Sequence, residues 1–126
     1  MQIGRLVSLK EVEGVLSHFA EDKRLGPDGW PIEFFTTFFD IMGSDLLDVV
    51  EISRTQGYMS VAINSTFISL IPKSDNPESF LDFRPISLSN LVYKLVTNII
   101  TNRIKPNCQR YCPKSNLFFL LLINNL

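Results

Sequence analysis

Apolar positions recur along the chain at helical spacing, give way to a short strand-like stretch, and then return to helical spacing. Ser8-Leu9-Lys10-Glu11 has the S-x-x-E form of a capping box, and Leu9, Val12, Val15, Leu16 and Phe19 follow on one helical face. This pattern predicts an amphipathic helix from residue 8 to about residue 22. Lys23-Arg24-Leu25-Gly26-Pro27-Asp28-Gly29 then collects the residue types that set φ in tight turns, so the chain reverses there. Pro31 suits a first helical position, and Ile32, Phe35, Phe39 and Met42 form an apolar stripe that is expected to stop at Gly43. Ser44 is placed to cap a further helix, which has Leu46, Leu47 and Val50 on one side and Asp45, Asp48 and Glu51 on the other. It should run to about Gln56 and end at Gly57.

From Thr66 to Ile71 the residues are β-branched or apolar apart from Ser69, and Pro72 closes the run, which reads as a strand. A polar turn region over residues 73–79 leads to a second short strand, Arg84 to Leu88, expected to fold back on the first as a long-looped hairpin. Ser89 or Asn90 can cap a last helix, whose wide apolar face of Leu91, Leu95, Val96, Ile99, Ile100 and Ile104 should be the best buried in the molecule. The predicted class is α+β, mainly helical with one β-hairpin.

The chain has 126 residues, is 45% hydrophobic and 20% charged, and so has room for one core of moderate size. The net charge of −1 disfavours binding of nucleic acid by bulk electrostatics, but the charges are unevenly spread. All 13 carboxylates lie at or before Asp82, whereas Arg84, Lys94, Arg103, Lys105, Arg110 and Lys114 follow it without a single acid. A polyanion should prefer the second part. Cys108 and Cys112 match neither a disulfide framework nor a complete zinc site. The amino-terminal residues do not read as a signal peptide, which makes a cytosolic or nuclear setting the default and leaves the compartment unassigned. The longest apolar run, Leu117 to Ile123, is far below the roughly 20 residues that span a bilayer, so no membrane partner is expected. The oligomeric state cannot be read from the residues.

No catalytic residue and no metal ligand is assigned. His18, the only histidine, reads as an ordinary helix-surface residue, and the acid row of Asp45, Asp48 and Glu51 reads as a solvated face. The arrangement that stands out is Lys73 closing the first strand and Arg84 opening the second. Strand pairing brings both to one end of a ribbon, where an ammonium and a guanidinium suit a polyphosphate.

Leu25-Gly26-Pro27-Asp28-Gly29-Trp30-Pro31-Ile32-Glu33-Phe34-Phe35, Ile63 to Lys73, Asp82-Phe83-Arg84-Pro85-Ile86-Ser87-Leu88 and Tyr93-Lys94 strongly resemble, in order and spacing, the reverse transcriptases of plant-type LINE (non-LTR) retrotransposons. The resemblance implies that residues 1–105 are a partial reverse transcriptase domain, the fingers region of a right-hand polymerase. It implies that Lys73 and Arg84 contact the triphosphate of the incoming dNTP, and that Gly26, Pro27, Asp28 and Gly29 form a turn beside the RNA template. In the intact family enzyme the partners are RNA template, DNA primer and dNTP, and the cofactor is Mg²⁺, held by palm aspartates that residues of this chain do not supply. The chain is therefore expected to be inactive alone; the alternative is a non-catalytic RNA- or nucleotide-binding module. The chain departs from the family pattern at Lys23-Arg24-Leu25, where a stiffening proline is usual, and again over residues 106–126, an acid-free stretch that reads as translation out of frame. If so, translating the coding DNA in its other two frames from about codon 106 is expected to reveal a family-like continuation; finding none in either frame rejects the frameshift and leaves the alternative, a divergent tail that packs on the last helix.

Overall fold

The computed structural model describes residues 4–19 and 25–111, with side chains described to Pro106. Four helices and one antiparallel hairpin follow one another as α1 (Leu9–Leu16), α2 (Ile32–Thr37), α3 (Phe39–Gln56), β1 (Thr66–Pro72), β2 (Phe83–Ser89) and α4 (Leu91–Tyr111). The α+β class expected from the pattern is the one observed. The helices share one core, in which Val12 and Leu16 of α1, Ile32 and Phe35 of α2, Leu46 and Val50 of α3, and Leu95, Val96 and Ile99 of α4 are buried together. Burying an aliphatic side chain of this size contributes about 1.5–3 kcal/mol, so these nine positions supply most of the drive to collapse.

Several boundaries differ from the sequence expectation, each for a local reason. Helix α1 ends at Leu16; residues 20–22, its expected last turn, lie outside the described residues. The Ser17 hydroxyl donates to the Gly14 carbonyl at 2.8 Å, and the next two amides bond three residues back rather than four, which tightens and terminates the turn. Only half of the capping box forms. The Ser8 hydroxyl accepts the Glu11 amide at 3.2 Å, but the Glu11 carboxylate faces Arg103 instead of returning to the cap.

Gly43 and Ser44, expected as a stop and a cap, both lie inside α3. Glycine ends a helix by adopting the left-handed conformation, which Gly57 does at φ 62° but Gly43 does not. Gly43 is instead buried beneath the Phe39 ring, whose nearest atom lies 3.2 Å from where a Cβ would sit. The break falls earlier, at Phe38 (φ −101°, ψ 18°), between α2 and α3. Pro31 is the N-cap of α2 rather than its first residue. Helix α4 runs beyond its expected apolar face, which closes at Ile104, to Tyr111, with Pro106 inside it. That proline lacks the amide which would bond back to Asn102, so the helix continues with one hydrogen bond fewer.

The hairpin stands apart from this core. Its register pairs Thr66 with Ser89 through to Pro72 with Phe83, and the two strands pack on each other far more than on any helix. Phe67, Ile68 and Leu70 remain more than half exposed.

A partly buried ion pair fixes the amino-terminal segment. The Arg103 guanidinium donates from Nε and Nη2 to the two Glu11 oxygens at 2.8 and 2.7 Å, and also to the carbonyls of Arg5 and Leu6. The hydrogen bond from Arg103 holds the Glu11 carboxyl below its ordinary value. Glu51 completes the clasp by accepting the Val7 amide and the Arg54 guanidinium. Because the folded value of Glu11 is depressed, its contribution is complete above the ordinary value of 4.5 and is lost as pH falls through the folded value. Glu11→Gln removes the carboxylate that faces the buried guanidinium and leaves Glu51 as an acid acting on it from further away. It is expected to cost about 3 kcal/mol at neutral pH in urea denaturation, with the gap to the parent narrowing below pH 4.5.

Candidate nucleotide and template site

The two candidate regions occupy opposite ends of the β-ribbon. At the loop end, the Lys73 amide donates to the Asp82 carbonyl at 2.7 Å, which extends the ladder one step beyond the Pro72–Phe83 pair. Arg84 lies directly across from Ile71, and Lys73 is two residues beyond Ile71 on the same strand. Alternation therefore sets Lys73 and Arg84 on one face of the ribbon as diagonal neighbours. Both are exposed. The Lys73 ammonium donates one hydrogen bond, to the Leu81 carbonyl at 2.7 Å, and Arg84 forms no ion pair among the described residues.

The loop between them is stiffened by its own chemistry. Ser79 and Asp82 form a capping box around a single 3-10 turn over Phe80–Asp82: the Ser79 hydroxyl accepts the Leu81 amide, and the Asp82 carboxylate accepts the Ser79 and Glu78 amides at 2.9 and 3.0 Å. These backbone bonds, the one from Ser79 first, hold the Asp82 carboxyl below its ordinary value. The acid across the ribbon from Lys73 is thus already committed to the backbone.

At the root of the ribbon sits the turn of Gly26 to Gly29. The Gly29 amide donates to the Gly26 carbonyl at 3.1 Å, Pro27 presets φ at the second position, and Gly29 takes φ 72°. The Asp28 carboxylate accepts the Trp30 amide at 3.2 Å, and the Asp28 amide donates to the Asn90 Oδ1 at 3.0 Å. The Asn90 Nδ2 donates in turn to the Ala62 carbonyl at 2.8 Å and to the Ile63 carbonyl at 3.3 Å. Asn90 therefore ties three segments together with the side chain that the sequence offered as a helix cap. Beside it, the Ser89 hydroxyl is buried and finds no hydrogen-bond partner among the described residues. Trp30, Phe34, Met42, Ala62, Ile63 and Val92 line an apolar cleft of about 430 Å³ next to the turn, and Trp30 stacks on Phe34 with ring centroids 4.3 Å apart.

The expected basic character of the second part is reduced, because Arg103 is spent on Glu11. Lys23, Arg24, Lys114 and Cys112 lie outside the described residues, as do the side chains of Cys108 and Arg110. His18 is exposed, and its Nδ1 donates to the Gly14 carbonyl at 2.5 Å. Asp45 and Asp48 are exposed, whereas Glu51 is partly buried by the Val7 amide and Arg54. Among the described residues no helix is long and apolar enough to cross a membrane.

No protein-family model matches the chain. Over 99 residues, 79% of the chain, it is 31% identical to an uncharacterized 149 kDa protein of transposon TX1 from Xenopus laevis. The likeness supports an origin in a transposable element. The chain spans 8% of that relative's length.

Gly26 gives the most direct test of this geometry. A Cβ there would lie 2.6 Å from the Ser89 carbonyl and 2.7 Å from both the Asn90 amide and its Oδ1, two of them backbone atoms that cannot swing away. Gly26→Ala is expected to destabilise the fold by about 2 kcal/mol in thermal or urea unfolding, within the range for overpacking. Gly4→Ala, at a position open to solvent, should leave stability unchanged.

Proposed function

We propose that the chain is the fingers part of an RNA-directed DNA polymerase domain of a non-LTR retrotransposon. In this reading the loop end of the ribbon meets the triphosphate of the incoming deoxynucleotide, and the Gly26–Gly29 turn at its root lies beside the RNA template. The observation that carries the reading is the register, which sets Lys73 and Arg84 on one face at the loop end, within the two sequence blocks that resemble the family. The transposon likeness agrees with it at a coarser level.

The division of labour between the two cations follows from their chemistry. The Lys73 ammonium has three protons, of which the Leu81 carbonyl takes one, leaving two for phosphate oxygens. Arg84 presents a planar fork that can meet two oxygens of one phosphate at once. Holding both on a paired ribbon removes much of the entropy cost of assembling them around a flexible ligand. The turn contributes position rather than charge, since its Asp28 amide is already bonded to Asn90.

Magnesium, which the polymerase reaction implies, finds no fitting donor set here. Among the described residues no three His, Cys, Asp or Glu side chains gather, and Asp82 is occupied by backbone amides. In this reading residues 1–105 bind and orient, residues 106–126 are a tail outside the family pattern, and the metal-holding carboxylates belong to another part of the intact enzyme.

The test is fluorescence anisotropy of a labelled RNA/DNA hybrid titrated with the chain, with deoxynucleotide and Mg²⁺ present and circular dichroism recorded in parallel. Lys73→Ala and Arg84→Ala are each expected to weaken the nucleotide-dependent part of binding about tenfold, the worth of one charge-assisted hydrogen bond. Folded variants that bind as tightly as the parent would reject the phosphate role of the pair.

A further inference from the structure

The ribbon has two outer edges of different chemistry. Because the Lys73 amide donates directly across to the Asp82 carbonyl, that pair is a hydrogen-bonded one, and the alternation of an antiparallel ladder then fixes every other position. Ile71, Ser69 and Phe67 bond inward to Arg84, Ile86 and Leu88. Thr66, Ile68 and Leu70 turn their amides and carbonyls away from β2. Among the described residues the sheet has two strands only, so no strand takes these groups.

On the other edge the outward positions are Phe83, Pro85, Ser87 and Ser89. Pro85 has no amide to offer, and Ser89 is buried, so that edge is closed to a further strand. The β1 edge has such protection only at its last position, Pro72. Thr66 to Ile71 holds no charge, no proline and no glycine, and Ile68 and Leu70 are 70% and 53% exposed.

We propose that the outer edge of β1 pairs with the same edge of a second copy of this chain, antiparallel about a two-fold axis at Ile68. The edge is self-complementary in that register. Ile68 meets Ile68 of the other copy in a pair that exchanges both hydrogen bonds, and Leu70 meets Thr66 on the same face. Phe67 meets Ser69 on the opposite face. No like charges face each other across the axis. The hairpin becomes half of a four-stranded sheet, long enough in strands for independent stability where a lone hairpin is marginal. Since Pro85 closes both outer edges of that sheet, assembly stops at two copies rather than growing into a fibre.

The experiment is light scattering coupled to size exclusion on the full chain over a range of concentrations, with residue-resolved amide hydrogen exchange on the same samples. The parent is expected to reach twice the monomer mass as concentration rises, and the amides of Thr66, Ile68 and Leu70 should gain protection in step. Ile68→Lys places two ammonium groups across the axis and is expected to abolish the dimer while leaving the circular dichroism spectrum unchanged. A monomeric mass throughout overturns the proposal, as does a dimer that survives Ile68→Lys. If that variant fails to fold, the exchange data on the parent decide: protection at these three amides that does not change with concentration is equally fatal.

Discussion

The Asn90 carboxamide is the constraint on which the arrangement of this molecule turns. It sits where β2 gives way to α4, accepts the Asp28 amide through one atom and serves the Ala62 and Ile63 carbonyls through the other. Those three segments are the turn before α2, the approach to β1 and the start of the best-buried helix. Trp30, Ala62, Ile63 and Val92 of the same segments line one apolar cleft, and the carboxamide adds the directional contacts between them. A buried amide that finds partners for both ends is worth keeping, because losing any one of them leaves a desolvated group unpaired. Gly26 is part of the same joint, since only a residue without a side chain lets the turn approach this closely.

A second polar contact, Arg103 with Glu11, plays the corresponding role at the other end of α4. It closes a sequence separation of 92 residues and brings the carbonyls of Arg5 and Leu6 with it. The acid-free second part of the chain therefore does not act as a uniform basic surface. One of its cations is internal architecture, and Arg84 is the one displayed on the ribbon. Charge imbalance read along a sequence says which segment is basic, but only packing says which of its charges meet solvent.

Much of the fold was legible because periodicity and local turn chemistry agree. The apolar stripes of α1, α3 and α4, the left-handed stop at Gly57 and the two strands around a long loop all follow from local rules. The errors arose where tertiary contact overrode those rules. Gly43 reads as a terminator until the Phe39 ring is known to cover it, and Glu11 reads as half of a cap until Arg103 is known to approach. One signal was present and unused: Arg103 continues the spacing of Leu95 and Ile99, so a cation stood on a buried stripe and required a partner. For the candidate site, the proximity of Lys73 and Arg84 follows from the strand pattern, whereas their shared face required the register. The service Asn90 gives the Gly26 turn had no local signature, because an asparagine before a helix looks the same whether it caps that helix or reaches across the fold.

Among the described residues the strands of the ribbon pack mainly on each other, and this gives it a mechanical property. Its strands are seven residues long, so it extends about 23 Å at roughly 3.3 Å per residue. A rotation of about 10° at the Asn90 joint then carries the tip through roughly 4 Å over that length, further than a hydrogen bond reaches. The ladder keeps the arm straight while one carboxamide serves as its fulcrum. Small changes in the apolar cleft under Trp30 and Val92 would thus be read out, amplified, at Lys73 and Arg84.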